Sequence, residues 1–214
     1  PTSTLMQEAD LTPDQVAEVL GLPEGVDPLS FNPYADGVNA DNALAVAKIS
    51  KQITTAIKSF ASASEGAGAS EKDSFEAALK SVVDVVKTKA GNLGNPSASA
   101  ADKKLDFTKS EDLSLIKVKA AAEVATKSGV NVTAFGNLIE DATTSIKNVN
   151  DIINGITDLS SDTTKDIFAT STALSKQIKS AIESEATSSG SGGISLSDPN
   201  FAQKVSKNEA PSML

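Results

Sequence analysis

Apolar side chains recur at spacings of three and four residues along five long stretches of the chain. The first stretch covers about residues 40–62, where Val46, Ile49, Ile53, Ala56 and Phe60 would share one helical face. Four further stripes predict amphipathic helices in the same way. Their seam residues are Phe75, Leu79, Val82 and Val86, then Leu113, Ile116, Ala120 and Val124, then Phe135, Leu138, Ala142, Ile146, Val149, Ile153 and Ile156, and finally Ile167, Leu174, Ile178 and Ile182.

Capping signals mark where some of these helices begin. Thr12, Pro13 and Gln15 form a capping-box pattern that opens a short helix, and that helix stops near Gly21. A similar pattern at residues 70–73 opens the second long helix. Residues 1–10 show no clear period, and residues 25–37 are rich in proline and glycine, which predicts a shaped loop.

The pattern therefore predicts an all-α fold, a bundle of about five amphipathic helices with shaped loops. Minor short β segments are a low-ranked addition, at residues 26–27, 105–107, 130–132 and 194–196. We expect the helical bundle domain to cover residues 1–193. Residues 194–214 are predicted to form an irregular C-terminal tail or a linker to a following module. The chain begins at Pro1 without Met, which is typical of a processed product or a fragment.

The amino-acid composition excludes several kinds of catalytic site and limits the residues that can form the core. The 214 residues include no His, Cys, Trp or Arg, so a Ser-His-Asp triad, a thiol nucleophile and a disulfide are excluded. Aromatic residues are only 4% of the chain, so the core must be built from Ala, Val, Ile and Leu. We therefore predict that the chain is not an enzyme, and that closely approaching helices form its core.

Charge gives predictions about partners. The net charge of −9 argues against nucleic acid, whose binding depends on cationic side chains. No apolar run approaches the ~20 residues that span a bilayer, so we expect no membrane insertion. Six lysines of the first two long helices are predicted to lie on solvated faces: Lys48, Lys51, Lys58, Lys80, Lys87 and Lys89.

One loop offers a candidate metal site. Asp36, Asn39 and Asp41 could bind calcium together with the carbonyl oxygen of Val38, because calcium takes six to eight oxygen ligands. The loop departs from the EF-hand pattern, since Ala47 occupies the twelfth position counted from Asp36. The alternative, which we rank higher, is that Asn39 or Asp41 caps the long helix while Asp36 lies in a turn.

Several segments resemble a helical module of very large secreted bacterial surface proteins that also carry RTX-type and cadherin-like repeats. The resemblance rests on residues 11–16, 20–27, 31–35, 41–46, 63–70 and 149–151, and residues 208–212 are similar to the junction that opens a cadherin-like repeat. It implies an exported, adhesin-like or matrix protein. The chain lacks the Gly-Gly-x-Gly-x-Asp repeat of RTX proteins, so calcium binding by this domain is not implied directly.

Three functional hypotheses follow. The first is a non-enzymatic structural or interaction domain, a spacer or adhesion element of a large extracellular bacterial surface or matrix protein. The second is a self-assembling subunit of an extracellular filament or surface layer. The third is a calcium- or glycan-binding module. The expected partners are other protein modules or copies of the same chain.

Overall fold

The computed structural model describes residues 1–187, which form eight α-helices and contain no strand. Five helices are long and make the bundle, and three are short. In chain order they are α1 (Thr2–Ala9), α2 (Pro13–Leu20), α3 (Ala40–Gly66), α4 (Glu71–Gly91), α5 (Ala100–Lys103), α6 (Ser110–Ala125), α7 (Val132–Asn154) and α8 (Asp162–Thr187).

Side-chain caps define most of the helix starts. Thr12 and Gln15 complete the predicted capping box of α2. Ser70 caps α4 by accepting a hydrogen bond from the backbone N–H of Asp73, and Ser99 and Asp102 form a second capping box at α5. These contacts satisfy backbone N–H groups that have no partner within the helix.

Helix α3 lies at the centre of the bundle. It packs against α4, α7 and α8 and touches α6, while α4 with α6, α6 with α7, and α7 with α8 are neighbours around it. Helices α1 and α2 pack on α4. One continuous hydrophobic core joins all of these elements except α5, and its largest fully buried side chains include Phe60, Phe107 and Phe135.

Small residues allow α3 and α8 to approach closely. The buried hydroxyls of Ser59 and Ser175 lie 3.5 Å apart across this interface. At the end of α3, a Cβ added to Gly66 would lie 2.5 Å from the backbone oxygen of Lys179. The predicted close approach of helices is present at this contact, where serine and glycine allow it.

The all-α prediction is confirmed within residues 1–187: five long helices and the predicted short helix α2 are present, and two short helices, α1 and α5, are added. Helix α1 forms where no period was seen, and α5 forms between the second and third long helices. The low-ranked β segments at residues 26–27, 105–107 and 130–132 do not occur. The predictions for residues 188–193 and 194–214 lie outside the described residues.

The predicted seam of α4 is wrong at its first residue. Phe75 is 49% exposed, whereas Val82 and Val86 are buried as expected. The buried face of α4 also contains Ser74, Ala77, Ala78 and Ser81. Because these small residues pack inside the bundle, the helix is rotated so that its largest side chain lies at the surface.

Candidate functional site

The predicted calcium loop is an exposed helix entry. Asn39 is the N-cap of α3, and its Oδ1 accepts hydrogen bonds from the backbone N–H groups of Asp41 and Asn42, both at 3.0 Å. Asp36 and Asp41 are exposed, and Gly37 takes the left-handed φ of 76° that closes the turn. The capping role proposed as the alternative for Asn39 is therefore present.

Calcium binding in this loop remains a prediction. The Asn39 oxygen is already used as a cap, while Asp36 and Asp41 keep solvated carboxylates. Within residues 1–187, no group of three or more acidic side chains is placed to hold a metal ion. A site here would depend on backbone carbonyls and water for most of its oxygen ligands.

The other acidic loop residues are held by local hydrogen bonds. Asp27 accepts hydrogen bonds from the Ser30 hydroxyl and the Leu29 N–H, which lower its pKa below the usual value. The backbone N–H and hydroxyl of Ser160 lower the pKa of Asp158 in the same way. These carboxylates shape turns, and Ser161 caps the first turn of α8 through the N–H of Thr164.

A buried ion pair joins α4 to α6. The Nζ of Lys89 lies 2.6 Å from Oδ1 of Asp112, and the two side chains are only 7% and 10% exposed. Lys89 also donates to the backbone oxygen of Ala101, and Asp112 accepts from the backbone N–H of Asp106. The pair therefore fixes α4, α5 and the loop before α6 at one point.

The prediction of solvated lysines is wrong for Lys89 and incomplete for Lys48 and Lys51, which are half-buried. Lys51 is half-buried, with its ammonium 5.3 Å from the centre of the Phe168 ring. Burial, followed by the positive charge of Lys58, lowers the pKa of Lys51. Lys58, Lys80 and Lys87 are exposed as expected.

An open cleft of about 640 Å³ runs along α4 beside the end of α1. Phe75, Leu79 and Val83 line its apolar part. Charged side chains of both signs surround them: Glu8, Lys72, Glu76, Lys80, Asp84 and Lys87. Hydrogen bonds from Lys80 to Glu123 and Asp84 raise the pKa of Lys80, so the rim is already paired in part.

Helix α6 carries a second apolar surface opposite its core face. Leu113, Ile116, Ala120 and Val124 are buried as predicted. Leu115 and Val118 are 47% and 62% exposed on the other side. We name this surface the α6 outer face, and it consists of the exposed residues Glu111, Leu115, Val118, Lys119, Ala122 and Ala125.

Ion pairs border the α6 outer face on both sides. Lys80 and Glu123 join α4 to α6 at 2.6 Å, and Lys117 pairs with Glu140 between α6 and α7. Glu111 and Lys119 lie on the face itself and make no ion pair or hydrogen bond through their side chains within residues 1–187. Two opposite charges and two large apolar side chains are therefore available there.

Comparisons with known proteins found no counterpart for this arrangement. No protein-family model matches the chain, and neither a curated protein nor a solved structure matches it. The structure itself defines the class of fold, an all-helical bundle. Because no match was found, the resemblance to modules of secreted bacterial surface proteins stays a prediction. Among residues 1–187, none of the helices is both long and apolar enough to cross a bilayer.

Sequence reasoning missed two features of the structure, the buried Lys89–Asp112 ion pair and the α6 outer face. The Lys89–Asp112 pair was detectable in part, because Lys89 follows the buried Val85 and Val86 by four and three residues and so shares their helical face. The α6 outer face also had a signal. Leu115, Val118, Ala122 and Ala125 are spaced by three, four and three residues, which is a second stripe on the same helix.

Proposed function

We propose that the chain is a non-enzymatic interaction and spacer domain of a large extracellular bacterial surface or matrix protein. The observation that carries the proposal is the α6 outer face, where Leu115 and Val118 are exposed side by side on one helix. An exposed apolar strip bordered by polar groups is typical of a protein–protein contact surface.

The bundle is also suited to holding neighbouring modules apart. Helix α3 has 27 residues and α8 has 26, so each extends about 40 Å at 1.5 Å per residue. Both pack within one core, which makes the long axis stiff. The net charge of −9 opposes nonspecific association of the remaining surface.

Location provides the first test. An antibody raised against the chain should label intact cells of the organism that encodes it, and protease added outside those cells should remove the label. Deletion of these residues from the parent protein should reduce surface attachment or matrix cohesion. Labelling that appears only after lysis would contradict an extracellular role.

A self-assembling filament or surface-layer subunit is the second candidate. It is favoured by the presence of two apolar surfaces on different helices, the α6 outer face and the α4 cleft with its exposed Phe75. Open polymers need two different contact surfaces, whereas one self-complementary surface gives closed dimers. Regular polymers of the isolated chain in negative-stain micrographs would support this candidate, and particles no larger than dimers would reject it.

A further inference from the structure

The charges on the α6 outer face are arranged in a self-complementary order. Glu111, Leu115 and Lys119 are spaced by four residues, so acidic, apolar and basic side chains follow one another on adjacent turns. Rotation by 180° about an axis through Leu115 exchanges the two ends of this series. A second copy in that orientation would place each Glu111 opposite the Lys119 of the other copy.

We propose that a second copy of this chain binds the α6 outer face, with the two α6 helices antiparallel. Leu115 of each copy packs against Leu115 of the other, and Val118 widens the apolar contact. Two Glu111–Lys119 ion pairs flank it, because a two-fold interface repeats every contact. This inference rests on the proposed interaction role and names the partner.

The neighbouring residues favour this occupant. Lys117 and Glu123 are committed to Glu140 and Lys80 within the chain, so the charges bordering the face are neutralised before the copies meet. Ala122 and Ala125 continue the stripe with small side chains.

The expected dimer is weak. One helix of 16 residues on each side contributes an interface at the small end of the range for specific complexes. We therefore expect a dissociation constant on the order of 100 µM, which suits contacts that act many at a time on a surface.

Sedimentation velocity of the chain between about 10 µM and 1 mM tests the proposal. We expect a shift from monomer to dimer across this range. Glu111→Lys alone and Lys119→Glu alone should each weaken dimerisation about tenfold, since each creates two like-charge contacts. The double variant, Glu111→Lys with Lys119→Glu, restores the pairs in reverse and should recover most of the affinity.

Leu115→Ser should abolish the dimer, while Phe75→Ser, a matched change of an exposed apolar residue in the α4 cleft, should leave it intact. Circular dichroism of each variant confirms that the bundle is folded. A monomer at 1 mM, a dimer that survives Leu115→Ser, or a double charge swap that does not recover would overturn the inference. Surface labelling of intact cells is independent of these results, so the proposed function can survive the loss of the dimer.

Discussion

At the scale of single residues, the buried Lys89–Asp112 pair has the largest expected effect on stability. Removal of one member of a buried ion pair leaves the other as an uncompensated charge. We expect Lys89→Met to lower the free energy of unfolding by about 3–5 kcal/mol. Urea denaturation measures the change.

Lys87→Met is the matched control, because Lys87 lies two residues earlier on α4 and is exposed. Its effect should stay within about 0.5 kcal/mol, as for most surface substitutions. Similar losses for the two variants would mean that the Lys89 pair contributes no more than a surface charge. Adding Asp112→Asn to Lys89→Met should cost less than the sum of the single changes, because the stranded charge is removed.

Substitutions in the loop before α3 distinguish helix capping by Asn39 from calcium binding. Asn39→Ala removes the oxygen that accepts from Asp41 and Asn42, and should cost about 1 kcal/mol of stability with or without calcium. Calorimetric titration with calcium tests the metal prediction, with Asp36→Ala and Asp41→Ala as variants. Heat of binding that both variants abolish would support the site, and a titration without heat above background would reject it.

Residue-level chemistry was the least predictable from sequence. The two caps at Thr12 and Ser70 were found, because a cap is a local pattern within four residues. Lys89 and Asp112 are separated by 23 residues in sequence, and their pairing depends on how α4 and α6 pack. Periodicity identifies a helical face, but it does not say which charged residue at its edge is covered.

At the scale of helices, the α3–α8 contact sets a steric limit. Gly66→Ala would place a methyl group 2.5 Å from the backbone oxygen of Lys179, so one helix must move. We expect a loss of about 1–3 kcal/mol in the free energy of unfolding, typical of overpacking. Thermal and urea denaturation should agree on the direction.

Gly136→Ala is the control for Gly66→Ala, and its expected effect on stability has the opposite sign. Gly136 lies inside α7, and an added Cβ would meet no atom within 4 Å. Alanine there should raise stability by about 0.5–1 kcal/mol, because glycine is a poor helix former. Equal effects of the two substitutions would show that helix propensity, and not the close approach to α8, governs Gly66.

Helix positions were predictable where one apolar stripe dominated. The stripes of α3, α6, α7 and α8 were assigned correctly, since most of their seam residues are buried. Helix α4 was misassigned at Phe75 because its interior face is built from Ser and Ala, which carry little hydrophobic signal. Helix α1 was missed for its length, as eight residues hold too few turns to show a period.

At the scale of the whole molecule, stability should be flat across neutral pH. The chain has no His, and the shifted groups are carboxylates with lowered pKa values and lysines with raised ones, apart from Lys51, whose pKa is lowered by burial. Hydrogen bonds from Ser70 and Ser99 lower the pKa values of Asp73 and Asp102 below 3.8. Their stabilisation is complete above the unfolded-state pKa and is lost as pH falls through the folded-state pKa.

At alkaline pH, the dependence of stability on pH has the opposite sign. Glu65 raises the pKa of Lys179 above the ordinary lysine value of 10.5. The stabilisation by this pair is therefore complete below pH 10.5 and is lost as pH rises through the folded-state pKa. The melting temperature should therefore stay constant between about pH 5.5 and 9 and fall below about pH 4. Asp73→Asn should flatten part of the acid decline, and a steep transition near pH 6.5 would contradict the assignment.

The order of the chain gives the α3–α8 contact a consequence for biosynthesis. Ser59 and Ser175 are separated by 116 residues, so the side of α3 that packs against α8 is synthesised long before α8 itself. At about 5–20 residues per second, a ribosome leaves that side unsealed for about 6–23 s. During this interval the nascent chain presents a surface that chaperones or neighbouring nascent chains can reach, and only α8 closes it.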